Sequence, residues 1–92
     1  MRRVLVIEND WQTASELGSC LAAAGYDVTI ATDGKMGLRF GRAAEYVVMT
    51  VDRILPGIDG IEVIRRLRQD GIGTPALIIT VRGVGFCIRA AA

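Results

Sequence analysis

The feature that most limits how this chain can fold is a regular alternation of short apolar runs with segments of helical periodicity. Apolar runs occupy Arg3–Ile7, Asp27–Ala31, Tyr46–Asp52 and Ala76–Thr80. Between the first two, Trp11 to Ala24 places Leu17, Cys20, Leu21 and Ala24 at i, i+3, i+4 and i+7. A second helical segment, capped by Thr32 or Asp33, carries Met36, Phe40 and Ala43 along one stripe. A third, Ile61 to Asp70, carries Ile61, Ile64 and Leu67, with Arg65, Arg66 and Arg68 on its solvated side. Strands alternating with helices predict a parallel sheet wound by right-handed crossovers. Gly25 stands just past the first helix, where a left-handed residue ends it. Gly34, Gly37 and Gly41 each lower the intrinsic stability of the second helix by about 1 kcal/mol where they are interior.

Composition narrows the function classes. A chain of 92 residues with 51% hydrophobic and 23% charged residues suits one small packed domain, not a disordered segment. Eleven basic residues against ten acidic ones give a net charge of +1, so no bulk basic field points to nucleic acid. Lys35 is the only lysine. Cys20 and Cys87 are too few for a disulfide scaffold, and with no histidine a zinc site is not expected. Both read as small packing residues. The apolar run Val4–Ile7 meets Glu8 after four residues, which is neither a signal peptide nor a membrane span. A cytoplasmic, reducing compartment is expected by default.

The third apolar run carries the most information. Its near-continuous apolar character reads as a strand buried on both faces, and it ends on a single carboxylate, Asp52. Pro56-Gly57 and Asp59-Gly60 then mark a loop before the next helix. In open parallel sheets ligands sit beyond the carboxyl ends of the strands. Asp52 therefore stands at the mouth of such a crevice. The first strand delivers Glu8, Asn9 and Asp10 to the same end of the sheet, and the fourth delivers Thr80.

Asp52, Pro56, Gly57, Asp59 and Gly60 at this spacing resemble the acceptor strand and loop of response-regulator receiver domains, and VDRILPGIDG is most similar to the OmpR-type subfamily. The resemblance covers roughly residues 2 to 81. It implies a flavodoxin-like sheet of order 2-1-3-4 and a role in two-component phosphorelay signalling, with a histidine kinase or phosphotransfer protein as partner. Asp52 would be the phospho-acceptor, and Thr80 would hydrogen-bond the phosphoryl group. Magnesium would be held by Glu8, Asn9, Asp52 and the backbone carbonyl of Ile54. Moving a phosphoryl group onto a carboxylate needs positioning and charge neutralisation more than covalent machinery, which suits a protein that is not itself an enzyme.

The sequence departs from that family pattern at four points. The second residue of the acidic pair is Asn9, an amide, which removes one anionic ligand and should weaken the magnesium site. Val81 is bulkier than the usual small residue after the strand-four hydroxyl. The lysine of the family's fifth strand has no counterpart, since Lys35 lies in the second helix. No pattern for a fourth helix, fifth strand or fifth helix follows Thr80, so a truncated sheet is expected, with residues 1–81 an incomplete receiver-like domain and 82–92 a tail.

Thr80 to Phe86 resembles the closing hairpin of the winged-helix domain attached to OmpR-type regulators, but without a recognition helix DNA binding is not expected. The last strand would be a sheet edge in need of cover. A homodimer through strand four and the tail is the expected solution. The rival reading is a phosphorylation-independent, dimeric interaction module. A small aspartyl-phosphate phosphatase would want a general acid two positions after the nucleophile, where Ile54 stands.

Overall fold

A computed structural model of the chain describes residues 2–79. The elements run β1 (Arg3–Ile7), α1 (Trp11–Ala23), β2 (Asp27–Ala31), α2 (Gly34–Ala43), β3 (Val48–Asp52), α3 (Gly60–Gln69) and β4 (Ala76–Ile79). The four strands form one parallel sheet in the order β2-β1-β3-β4, as the alternation predicts. β3 starts two residues later than expected, because Tyr46 and Val47 lead into it without joining it as strand residues. Thr80, the 81/82 boundary, the tail and its hairpin resemblance all lie outside the described residues.

Alternation along the strands divides the core in two. Leu5 and Ile7 of β1 and Met49 and Val51 of β3 face α2 and α3, where they meet Leu38, Val63 and Leu67. Val4 and Val6 face the other way, onto Ala14 and Leu17 of α1. The central strands β1 and β3 are thus covered on both sides, as continuous apolar runs require. β4 lies at the sheet edge among the described residues, and its Leu77 and Ile78 remain 61% and 46% exposed.

Local signals set the helix ends. Asp33 caps α2 by accepting from the Met36 N–H at 2.7 Å, and Asp59 caps α3 by accepting from the Glu62 N–H at 2.8 Å. Gly25 adopts φ +98° after α1, the left-handed conformation expected of it. On the exposed side of α3, Glu62 is held down at about 2 by hydrogen bonds from Arg65 and then Arg66. The arginines of that face are therefore largely spent on its own carboxylate.

The helix stripes differ in part from expectation: Ala24, expected in the α1 stripe, lies past the helix end and is exposed, and α2 and α3 turn other residues inward. The buried side of α2 is Gly34, Gly37, Leu38 and Gly41; Met36 and Phe40 are only half-buried and Ala43 is exposed. In α3, Val63 and Leu67 are buried, Ile64 is half-buried and Ile61 is exposed. Glycine lets a helix backbone become the packed surface, which a count of apolar side chains does not register. A Cβ at Gly34 would run into the Ile58 carbonyl oxygen. One at Gly60 would run into the Asp52 carbonyl oxygen and lie 2.9 Å from Val51 Cγ1. The start of α3 is thus drawn against the end of β3, and the Gly60 N–H donates to the Arg53 carbonyl at 2.9 Å.

This close approach makes a direct test. Gly60→Ala forces backbone against backbone and should lower stability by about 1–3 kcal/mol in urea unfolding. Gly73→Ala, where a Cβ meets nothing within 4 Å, should not lower it. Equal midpoints for the two variants would contradict the packing described.

Candidate functional site

The site is built by register. β1 and β3 pair in parallel with Ile7 opposite Val51. Glu8 directly follows the one and Asp52 the other, so the two carboxylates leave neighbouring strands at the same level. Both are buried, at 3% and 5% exposure. On the far side of β3, Asp52 is in register with Ile79, the last residue of β4. An ionised carboxylate is costly to bury unless it is hydrogen-bonded, and the backbone supplies those bonds locally. The Asp10 N–H donates to Glu8 Oε2 at 3.0 Å, and the Ile54 N–H donates to Asp52 Oδ1 at 3.2 Å. Each acid thus organises the loop that follows its own strand.

The neighbouring loop is tied in from β2. The Glu8 N–H donates to the Ala31 carbonyl at 2.9 Å, and Asn9 Nδ2 donates to the Thr32 carbonyl at 3.1 Å. Asn9 is exposed at the crevice rim. Asp10, next to it, turns into the start of α1: its carbonyl accepts from the Ala14 N–H at 2.9 Å, and its Oδ2 accepts from Thr13 Oγ1 at 2.6 Å. On the opposite rim the Arg53 N–H donates to the Ile79 carbonyl at 3.3 Å. Ile54 is 76% exposed.

Of the residues singled out from sequence, the fold brings Glu8, Asn9, Asp52 and Ile54 to one end of the sheet. Thr80 follows Ile79 and is outside the described residues. Lys35 is exposed on α2, in line with the reading that it does not take the fifth-strand lysine's part. The donor set at the strand ends is all oxygen, with two carboxylates, an amide and a peptide carbonyl, which is the chemistry a hard dication prefers. Among the described residues no group of three or more His, Cys, Asp or Glu side chains is arranged to hold a metal.

Two features of this region had no clear sequence signal. Gly60 reads as a turn residue in the sequence, whereas its role is the contact with the Asp52 backbone. Thr50, two residues before Asp52 on the same strand, is 7% exposed, and its Oγ1 has no hydrogen-bond partner among the described residues. Only its polarity within an apolar strand marks it beforehand.

Comparison with known proteins places the chain. Residues 4–92 match the response regulator receiver domain family. The chain is 36% identical over 81 residues to the probable transcriptional regulatory protein SilR of Salmonella typhimurium, covering 88% of this chain and 36% of SilR. It spans about a third of the length of SilR and of the transcriptional regulatory protein TcrA of Mycobacterium tuberculosis. Among solved structures it is similar to the receiver domain of the Francisella response regulator 1452, with a TM-score of 0.81 and 33% identity over 85% of this chain and 64% of that one. It is also similar to the response regulator TrrA of Thermotoga maritima in complex with Mg(2+)-BeF, with a TM-score of 0.74 and 28% identity over 85% of this chain and 66% of that one. Among the described residues no helix is long and apolar enough to cross a membrane. With its 2-1-3-4 parallel sheet and two buried carboxylates at neighbouring strand ends, the chain belongs to the response regulator receiver domain family.

Proposed function

We propose that the chain is a phosphoryl-accepting receiver of a two-component relay, with Asp52 as the acceptor and a histidine kinase or phosphotransfer protein as donor. The observation that carries the reading is the pair of buried carboxylates, Glu8 and Asp52, leaving in-register neighbouring strands. A carboxylate oxygen of Asp52 attacks the phosphorus of a phosphohistidine, the P–N bond breaks, and the imidazole leaves and takes up a proton from solvent. The product is an acyl phosphate on Asp52. The Ile54 N–H, already on Asp52 Oδ1, holds the nucleophile in orientation throughout.

Glu8, Asn9, Asp52 and the Ile54 carbonyl would hold a magnesium ion. When bound, it neutralises charge on the phosphoryl oxygens. TrrA, a structural relative, is the precedent, since its structure is a complex with Mg(2+)-BeF. With Asn9 in place of a second acid after β1, the site carries less negative charge and binds the ion weakly. Thr80 would take the hydrogen bond to the phosphoryl group.

The test is intact mass after incubation with magnesium and acetyl phosphate. The expected outcome is one added phosphoryl mass, lost in Asp52→Ala and formed at lower magnesium in Asn9→Asp. A folded protein that gains no phosphoryl mass from acetyl phosphate or from a phosphorylated kinase would overturn the reading.

A second reading is favoured by β4. Its edge position and the exposed Leu77 and Ile78 suit a homodimer joined through strand four and residues 82–92, acting as an interaction module without phosphorylation. Light scattering at tens of micromolar should give the dimer mass, with Leu77→Lys shifting it to the monomer. A wild-type monomer at that concentration would remove this reading.

A further inference from the structure

A groove of about 770 Å³ runs along α2 beside α3, away from the acidic crevice. Its rim is cationic: Lys35, Arg39 and Arg42 from α2 and Arg66 from α3. Its floor is apolar, formed chiefly by Leu38, Met36 and Ile58. Among the described residues no acidic side chain lines it, although Asp70 and Glu62 beside it pair with Arg42 and Arg66.

Two of the α2 cations are placed against the interests of the helix, whereas Arg42 sits in the last turn, where the helix dipole favours a cation. Lys35, Arg39 and Arg42 follow one another at i, i+4 and i+7, a spacing at which like charges repel. Lys35 also occupies the first turn, where the helix dipole disfavours a cation, and no acid lies in that turn beyond the Asp33 cap. On α3 the situation is reversed, because Glu62 binds both Arg65 and Arg66. Arg42 pairs with Asp70 at 2.6 Å. Among the described residues, Lys35 and Arg39 form no ion pair, and Arg39 rests over the Phe40 ring.

We infer that this groove is a docking surface for an acidic amphipathic helix of a partner protein. The cationic stripe extends about 10 Å along α2 at the helical rise. Carboxylates at i, i+4 and i+7 on a facing helix repeat the same interval. The apolar floor takes that helix's leucines, as in helix-in-groove recognition. A nucleic-acid backbone would satisfy the cations but has no apolar face for Leu38, Met36 and Ile58, so the protein partner is the better match. The inference does not depend on whether Asp52 is phosphorylated.

The test uses the full chain, isotope-labelled, and a synthetic helix-forming peptide with glutamate at i, i+4 and i+7 and leucine on the adjoining face. Controls are a peptide of the same composition in non-amphipathic order and a short DNA duplex. Saturable amide shifts confined to 35–43, Ile58 and Arg66 are expected with the amphipathic peptide. They should weaken with added salt, and affinity should fall about tenfold in the exposed-site double variant Lys35→Glu/Arg39→Glu. Any one of four results would overturn the inference: no saturable shifts in the wild-type groove, equal binding of the scrambled peptide, tighter binding of the duplex, or unchanged affinity in the double variant.

Discussion

The structure depends on the parallel pairing of β1 with β3. That register buries Leu5, Ile7, Met49 and Val51 on one face and Val4 and Val6 on the other. It also decides where the two strands end. A shift of one residue would turn each apolar side chain to the opposite face and would separate Glu8 from the level of Asp52. The hydrophobic core and the acidic crevice are therefore two consequences of one alignment. The core supplies the stability that makes two buried carboxylates tolerable.

Glycine sets the second constraint. α3 can begin beneath the end of β3 only because Gly60 has no side chain, and α2 can approach the 53–59 loop only because Gly34 has none. The loop after Asp52 is thereby fixed at both ends, by the Gly60 N–H on the Arg53 carbonyl and by the Arg53 N–H on the Ile79 carbonyl. On the proposed function, an Asp52 acceptor held this way would need little rearrangement before reacting, and preorganisation of that kind is the main contribution a protein makes to phosphoryl transfer. The same close packing leaves the outer stripe of α2 free to carry charge rather than contacts.

Most of the fold was legible because strand length, helix periodicity and capping residues are local properties. Arg3–Ile7 and Asp27–Ala31 have the bounds the apolar runs indicate, and the strand order follows from the resemblance of VDRILPGIDG to receiver loops. Glu8, Asn9, Asp52 and Ile54 could be brought to one end of the sheet for the same reason. The buried stripe of α2 was misread because the packed surface there is partly glycine backbone, and that of α3 because Val63 rather than Ile61 turns inward. Gly34 and Gly60 look like breakers in a sequence and act as contact points in the fold. The Thr50 hydroxyl, without a hydrogen-bond partner among the described residues, depends on neighbours across the sheet, and no local pattern encodes it.

The central proposal is that Glu8 and Asp52, which leave neighbouring strands at the same level, together hold a hard dication at that end of the sheet. The most direct measurement is an amide chemical-shift titration of the wild-type chain and Asp52→Asn with magnesium chloride. The account predicts saturable shifts centred on Asp10, Arg53 and Ile54 in the wild type, displaced to higher magnesium concentration by Asp52→Asn. Shifts absent from those amides, or identical in the two proteins, would contradict it.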